Sequence, residues 1–303
     1  MKKVILEHVE CDLCGCNEYK VRYRLPDMWL WVNQFEFPVV ECVGCGLVFV
    51  NPRPTQEAMS SYYPKDYHQD RNSEEHKIRY KNQSKFLPDL NNKKVLDIGC
   101  ARGDFLGYLL QKYPSMIPYG VDYFSDKVDY KKINFFNKLF FDCNFENNFF
   151  DVIVSFAVFE HLHEPSLYFE EASRVLKQNG ELIILVTNSE SLYGKRARIE
   201  DVPRHTYHYS ENTLAKYAEK YGLTLEKVDY NDEIFDGRGI GAVRWLISDL
   251  LKITYEDYYF KKISFLKRVC LKIASKIDKV IFSTHWEKNK RQSGIIIARF
   301  KKC

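Results

Sequence analysis

Two groups of residues in this 303-residue chain have types and spacings that can do chemistry. The first is a doubled CxxCG, Cys11-Asp12-Leu13-Cys14-Gly15 and Cys42-Val43-Gly44-Cys45-Gly46, with 27 residues between Cys14 and Cys42. A CxxC turn aims two sulfurs at one point, and the glycine after it frees the backbone to fold over an ion. Two such turns supply a tetrahedral set of four thiolates, which suits a structural Zn(II) on Cys11, Cys14, Cys42 and Cys45. A redox CxxC needs only one pair, in a thioredoxin-like context missing here. Four protein ligands leave no open position, so the ion would hold structure. Apparent binding energies of order 10–16 kcal/mol would supply most of the stability of so short a module. The second group is the apolar run Lys94-Val95-Leu96-Asp97-Ile98, the turn Gly99-Cys100-Ala101-Arg102-Gly103, and the amphipathic start Asp104-Phe105-Leu106. Small residues at 99, 101 and 103 let a ligand lie against bare backbone. The spacing is Gly-x-Ala-x-Gly, not the GxGxxG of dinucleotide binders. Asp104 puts a carboxylate in the first helical turn, where a pyrophosphate wants bare N–H groups. Two carboxylates beside the turn suit a ligand with positive charge.

This strand–turn–helix resembles motif I of class I S-adenosylmethionine (SAM) methyltransferases; SAM carries a sulfonium and an ammonium. The resemblance implies an α/β fold with a Rossmann-like seven-stranded sheet, strand seven antiparallel between five and six, beside a small N-terminal zinc ribbon. It implies SAM contacts from Asp97, Gly99, Ala101 and Gly103, with Ala101 in place of the usual middle glycine. Ile117 to Asp122 reads as a second strand ending in a carboxylate, 25 residues after Asp97. Asp122 matches the acid that accepts both ribose hydroxyls, a natural pairing for an anion with two acceptor oxygens. Tyr123 would lie along the adenine. Lys138 to Cys143 reads as strand three, with Asp142 at the family position that meets the adenine amino group; the surrounding Phe/Asn-rich run fits more than one register. Phe149 to Pro165 resembles the FDvI…EHxxxP signature of methyltransferases acting on sugars, quinones and small molecules. Its strand ends near Ser155, whose carbonyl end would face the methionine part of SAM, and Glu160 and His161 would fall on the rim. His161 is open to three roles: a helix-start residue bonded to backbone, a general base, or a metal ligand with Glu160.

Leu167 to Lys177 has helical periodicity and stops at Asn179-Gly180; Glu181 to Thr187 is the next buried strand. Tyr193 to Tyr209 reads as a substrate loop. Its His205 and His208 are candidate proton acceptors, since a histidine near its ordinary pKa of about 6.5 takes a hydroxyl proton at neutral pH. Arg196, Arg198 and Arg204 would either bind an anionic acceptor such as a nucleotide sugar or be solvated surface. A helix over 211–221, strand six over 223–230 and strand seven over 293–300 complete the core. The domains expected are a zinc-ribbon module at 1–54, a helical linker or cap at 55–92, and a methyltransferase domain at 93–303 with a helical insertion at about 232–290. Within the insertion seven bases between Lys261 and Lys279 face one acid, Asp278. A basic amphipathic helix over 261–280 can lie on an anionic membrane surface, cover the active site or form a homodimer contact.

Composition sets outer limits. At 45% hydrophobic and 28% charged the chain is globular in type, and no apolar run approaches the roughly 18 residues of a membrane span. Met1 to Glu7 is too polar for a signal peptide, so a cytoplasmic protein is expected, with residues 261–280 offering contact to the inner membrane face. There, nine cysteines are not a disulfide framework, and a net charge of +4 is too small to argue for nucleic acid. Doubled CxxCG knuckles before such a core resemble a bacterial subgroup tied to surface-polysaccharide or secondary-metabolite pathways. The resemblance therefore implies a SAM-dependent methyltransferase acting on a small molecule, a hydroxyl of a sugar or glycan precursor. An RNA methyltransferase with a zinc module is the rival in the same class. Strand four ends Ser155-Phe156-Ala157, not in the Asn/Asp-Pro-Pro-aromatic turn used on base nitrogens. A non-catalytic SAM-binding scaffold is the rival in another class, and Ala101 is the residue that would favour it.

Overall fold

The computed structural model of the chain describes residues 5–27, 30–63, 74–125, 128, 130–191, 202–231, 234, 242–254, 256–257, 260–283 and 289–303. The chain packs as two units, each drawn from separated stretches. One comprises Met1–Pro64, Thr187–Ser210 and Tyr230–Ile296, the other Lys65–Val186, Glu211–Asp229 and Ile297–Cys303. This division differs from the expected cuts at 54 and 92, because residues 187–210 and most of the insertion pack with the N-terminal residues.

The second unit carries a seven-stranded sheet. Its strands are β6 (Lys94–Ile98), β7 (Ile117–Val121), β8 (Asn134–Phe136), β9 (Phe150–Phe156), β10 (Leu176–Thr187), β12 (Leu223–Asp229) and β13 (Ile295–Lys302). They lie in the order β12-β13-β10-β9-β6-β7-β8. Neighbours from β10 to β8 pair in parallel, and β13 runs antiparallel to β12. This is the expected α/β arrangement, with the last strand inserted between five and six. Strands covered on both faces read as near-continuous apolar runs, as Leu182–Val186 does. The helices are α2 (Glu74–Ser84), α3 (Asp104–Lys112), α4 (Pro165–Val175) and α5 (Glu211–Lys220). Tyr80 of α2 lies 5.8 Å from the ring of Phe105 on α3.

The third strand departs from expectation. It is Asn134–Phe136, and Lys138–Cys143 is not a strand; Phe140–Cys143 forms a short 3-10 turn. Asn137 stops the strand, because its amide donates to the carbonyls of Asp122, Tyr123 and Ser125. Phe140 and Phe145 then turn inward, Phe145 lying 4.9 Å from both Phe136 and Phe150. Aromatic burial thus takes the run out of the sheet one turn earlier than its β propensity suggests.

The first unit has a four-stranded antiparallel sheet in the order β11-β4-β3-β2, built from β2 (Tyr19–Leu25), β3 (Phe37–Cys42), β4 (Val48–Val50) and β11 (Tyr207–His208). A two-stranded ladder pairs β1 (Leu6–Glu7) with β5 (Arg53–Pro54). Thr55 caps the short α1 (Gln56–Met59), its hydroxyl accepting from the Ala58 N–H at 3.3 Å. Phe37, Val39, Val48, Val50, Tyr62 and Val202 meet in one apolar cluster. Residues 207–208, expected in an open loop, instead form a buried strand on β4. Two helices of the insertion belong here as well, α6 (Ala242–Leu250) and α7 (Phe265–Ser283).

Candidate cofactor edge and cysteine centre

Adjacent strands β9, β6 and β7 bring three expected segments to one edge of the large sheet. The carboxyl edge of a parallel sheet is where ligands bind in such folds. At the end of β6 the chain turns through left-handed residues, with φ of 77° at Gly99, 48° at Ala101 and 81° at Gly103. Gly99 is required twice over. Besides its φ, a side chain there would place Cβ 2.4 Å from a Val158 methyl. Ala101 holds a left-handed backbone with a Cβ, which costs roughly 1–2 kcal/mol for an L-residue.

The donors of this turn are spent inside the protein. The N–H groups of Gly99 and Cys100 both donate to the Val121 carbonyl, at 2.8 and 3.2 Å, and Gly103 donates to Cys100 at 2.8 Å. Ala101 donates to Asp122 Oδ2 at 2.8 Å. A phosphate cradle needs those N–H groups aimed at the ligand. This turn presents the small residues 99, 101 and 103 with the half-buried Arg102 among them, beside buried carboxylates at Asp97, Asp104 and Asp122. Tyr130 donates to Asp104 Oδ1 at 3.4 Å. The field of this edge shows in the buried Cys100 thiol, which burial pushes far up, with Asp97 and Asp122 adding to the effect.

Asp122 is a structural hub as well as a candidate ribose ligand. Its Oδ1 accepts from the N–H groups of Phe124 and Ser125, both at 2.8 Å. A carboxylate offers about four lone-pair sites, so acceptor capacity remains beyond these three bonds. Tyr123 beside it is 54% exposed, open for stacking. Asp142 lies on the 3-10 turn rather than at a strand end, and is exposed. Ser155 is fully buried, its hydroxyl donating to the Ile98 carbonyl at 3.1 Å, so its side chain ties β9 to β6. Past it, Ala157 at φ 60° turns the chain into the 3-10 helix Phe159–His161. Glu160 is buried there and His161 half-buried. Sequence reading did not single out Val158, Tyr130 or Asn137. Only Asn137, a turn-forming residue after an apolar run, carried a local signal.

In the first unit the four expected cysteines converge, their sulfurs all within 4.8 Å of one another. Cys11 and Cys45 are 3.4 Å apart, Cys14 and Cys42 3.5 Å. The two knuckles share one geometry: Gly15 N–H donates to Cys11 at 2.7 Å and Gly46 N–H to Cys42 at 3.0 Å, with φ of 71° and 81°. With Zn–S near 2.3 Å, a tetrahedral site needs sulfurs about 3.8 Å apart, so the set fits zinc with a small expansion. Burial pushes the Cys11 thiol up, and Cys45 up to about 11. An ion held here would have to displace those protons.

The histidines of the expected substrate loop sit in the same unit. His205 and His208 are both buried, their rings 6.2 Å apart. Burial, then the charges of His205 and Arg22, push His208 down to about 3. A base that weak takes up almost no proton at neutral pH. Arg204 is not solvated surface. Fully buried, it pairs with the equally buried Asp27 at 3.1 Å and donates to the Tyr62 carbonyl at 2.8 Å. Asp27 also accepts from the N–H groups of Leu30 and Val32. Arg196 and Arg198 lie outside the described residues.

Comparison with known proteins adds four findings. The methyltransferase domain family matches residues 71–228. A ubiquinone biosynthesis O-methyltransferase of Pelagibacter ubique is 24% identical over 191 residues, 57% of this chain and 76% of that protein. The ribosomal RNA large subunit methyltransferase E of Brachyspira hyodysenteriae is 32% identical over 126 residues, 37% of this chain and 64% of that protein. Among solved structures, a chain of the Haloferax volcanii complex between the Trm112 methyltransferase activator and a methyltransferase has the same fold. It gives a TM-score of 0.51 at 18% identity, over 75% of this chain and 91% of that one.

Proposed function

Because the chain belongs to the methyltransferase domain family and is a SAM-dependent methyltransferase, we propose that its acceptor is a small molecule carrying a hydroxyl, of the sugar or glycan-precursor class. The observation that carries the donor side is the 99–103 turn, with its N–H groups consumed internally and carboxylates gathered around it. Such an edge favours a cationic ligand over a phosphate. The ubiquinone-pathway relative, an O-methyltransferase matched over three-quarters of its length, supports a small-molecule hydroxyl on the acceptor side. The sugar class rests on the resemblance of the knuckles and the FDvI…EHxxxP segment to the polysaccharide-linked subgroup.

In this reading Asp122 accepts the ribose hydroxyls, Tyr123 flanks the adenine, and Asp97 with the 99–103 backbone faces the methionine moiety. Asp142, exposed one turn away, is retained as the adenine contact. When bound, SAM supplies a methyl group already activated by its positive sulfur. The chain must align the acceptor and remove one proton. Alignment contributes roughly 7–11 kcal/mol in favourable cases, and a base adds about 10²–10⁴-fold. We assign proton uptake to His161 or His205, ahead of His208, whose low basicity leaves it neutral. Cys11, Cys14, Cys42 and Cys45 would hold Zn(II), which would cross-link the two knuckles.

Titration calorimetry of SAM into the protein and its Asp122→Asn variant tests the site. Asn keeps an acceptor for the Phe124 and Ser125 N–H groups but loses the anion and the Oδ2 acceptor of the Ala101 N–H, so affinity falls at least tenfold while the melting temperature drops only by the loss of that one bond. Unchanged affinity would remove Asp122 from the ribose. The ribosomal RNA relative favours a second reading, an RNA acceptor. Filter binding at two salt concentrations separates the two, since RNA binding through phosphates weakens steeply with salt.

A further inference from the structure

Helix α7 has two opposed faces, and only one is used by the fold. Leu271, Ala274 and Asp278 point inward and are buried. Asp278 accepts from the N–H groups of Val243 and Arg244 at 2.9 and 3.0 Å, capping the first turn of α6. The one acid of α7 is thereby consumed inside the unit. The outer face carries an unbroken apolar stripe at Leu266, Ile273, Ile277 and Val280, between 46% and 72% exposed, with Phe265 at its start 83% exposed. Along one edge of that stripe run the exposed Lys272, Lys276 and Lys279, at i, i+4 and i+7.

We propose that this face of α7 docks on an anionic lipid surface, lying in the plane of the headgroups. Charge selects this occupant. Residues 242–283 hold nine bases and four acids, a formal +5, while the whole chain is only +4. The positive charge of the protein is therefore concentrated in this helical pair, and the outward side of α7 has no acid to balance it. A second copy of the chain does not supply the missing charge, because a two-fold contact sets the same cationic edge against itself. An anionic bilayer supplies it, and takes up the apolar stripe as well. Among the described residues no helix is long and apolar enough to cross a membrane, which leaves surface attachment. This inference stands apart from the acceptor chemistry above.

The test is flotation of the full chain with vesicles of phosphatidylcholine alone and of equal parts phosphatidylcholine and phosphatidylglycerol, each at low and high salt. Binding to the anionic vesicles only, weakened by salt, is the expected result. The triple variant Lys272→Ser, Lys276→Ser, Lys279→Ser lowers the partition coefficient about 100-fold, each lysine contributing near a membrane surface. The pair Ile273→Ser, Ile277→Ser lowers it as well, with SAM affinity unchanged in both variants. Absence of flotation, equal binding to both vesicle types, or full binding by the lysine variant would overturn the proposal. So would a dimer in sedimentation equilibrium that Ile273→Ser converts to monomer, since that assigns the face to a second copy. The lipid and salt comparisons on the unaltered chain decide the matter even if a variant folds poorly.

Discussion

His208 makes a quantitative prediction about stability against pH. The residue is 1% exposed in β11, and among the described residues neither ring nitrogen has a hydrogen-bond partner. Burial, His205 and Arg22 hold its pKa at about 3, against about 6.5 in an unfolded chain. Between about pH 3 and 6.5 the folded state therefore binds fewer protons than the unfolded state. Stability is fully present above pH 6.5 and falls as acid is added, by about 1.4 kcal/mol per pH unit. By pH 5 the loss from this one residue is about 2 kcal/mol, and a folded pKa of 4 instead of 3 would barely alter it, because the buried ring is unprotonated at pH 5 in either case. His208→Leu abolishes the titration and removes two unpartnered polar atoms. We expect its stability at pH 7.5 to match or exceed that of the parent. At pH 5 its advantage grows by a further 2 kcal/mol, on the order of an eighth to two-fifths of the whole stability of a typical domain.

Urea unfolding followed by tryptophan fluorescence reads this directly. Each of the four tryptophans belongs to the segments of the unit that carries His208, so the signal follows that unit. Parallel curves of stability against pH for the two proteins would refute the reasoning, showing a ring that is protonated or hydrated when folded. The same variant bears on mechanism. With His161 or His205 as the proton acceptor, His208→Leu keeps methyl transfer within a few-fold of the parent. A loss above 100-fold with folding intact would return the role to His208.

Gly99→Ala brings a Cβ within 2.4 Å of Val158 at a φ of 77°. The expected cost is about 1–3 kcal/mol from overpacking, seen as a lower melting temperature and weaker SAM binding. Adding Val158→Ala recovers the overpacking part and leaves the backbone strain; no recovery would mean the clash is not the cause. Arg204→Leu leaves the Asp27 carboxylate buried without its cation, costing about 3–5 kcal/mol. A change under about 1 kcal/mol in the tryptophan-detected midpoint would show that solvent reaches the pair. Elemental analysis of the purified chain should give one zinc per protein, and a strong chelator should lower the fluorescence-detected midpoint. One cysteine variant, Cys42→Ser, should do the same without chelator; metal content unaffected by it would remove the cluster from consideration.

The large sheet was readable in the residues because parallel strands covered on both faces must be largely apolar, and Val95–Leu96 and Leu182–Val186 are so. The 99–103 turn and the CxxCG knuckles were readable for another reason. Left-handed backbone restricts residue type, so glycine marks its own conformation at 15, 46, 99 and 103. What failed was whatever depends on partners far along the chain. His208 pairs with Val48, 160 residues away in sequence, and Arg204 with Asp27, 177 away. A two-residue strand has no period to detect, and a buried arginine looks like any surface base until its partner is known. The third strand failed on a local competition, where seven phenylalanines from 135 to 150 satisfy several registers and Asn137 alone marks where the sheet stops.

The same bonds that build the cofactor edge set its preference for charge. In a parallel sheet the strand ends leave carbonyls and N–H groups unpaired, and a glycine-rich turn ordinarily offers those donors to an anion. Here Val121 and Asp122, at the end of the neighbouring strand, take the N–H groups of residues 99, 100 and 101 for themselves. That interlock fixes the turn against β7. It also removes the N–H groups of residues 99, 100, 101 and 103 from anion binding and places the buried carboxylates of Asp97, Asp104 and Asp122 around the turn. A phosphate brought to this edge would meet three carboxylates and few free backbone donors, whereas a sulfonium or ammonium would meet attraction strengthened by burial. On the proposed reading, electrostatic preference for the methyl donor would be a by-product of how β6 and β7 are stitched together. Asp122 lies at the centre of both, so Asp122→Asn removes its charge and its bond to the Ala101 N–H together, while the Phe124 and Ser125 bonds persist.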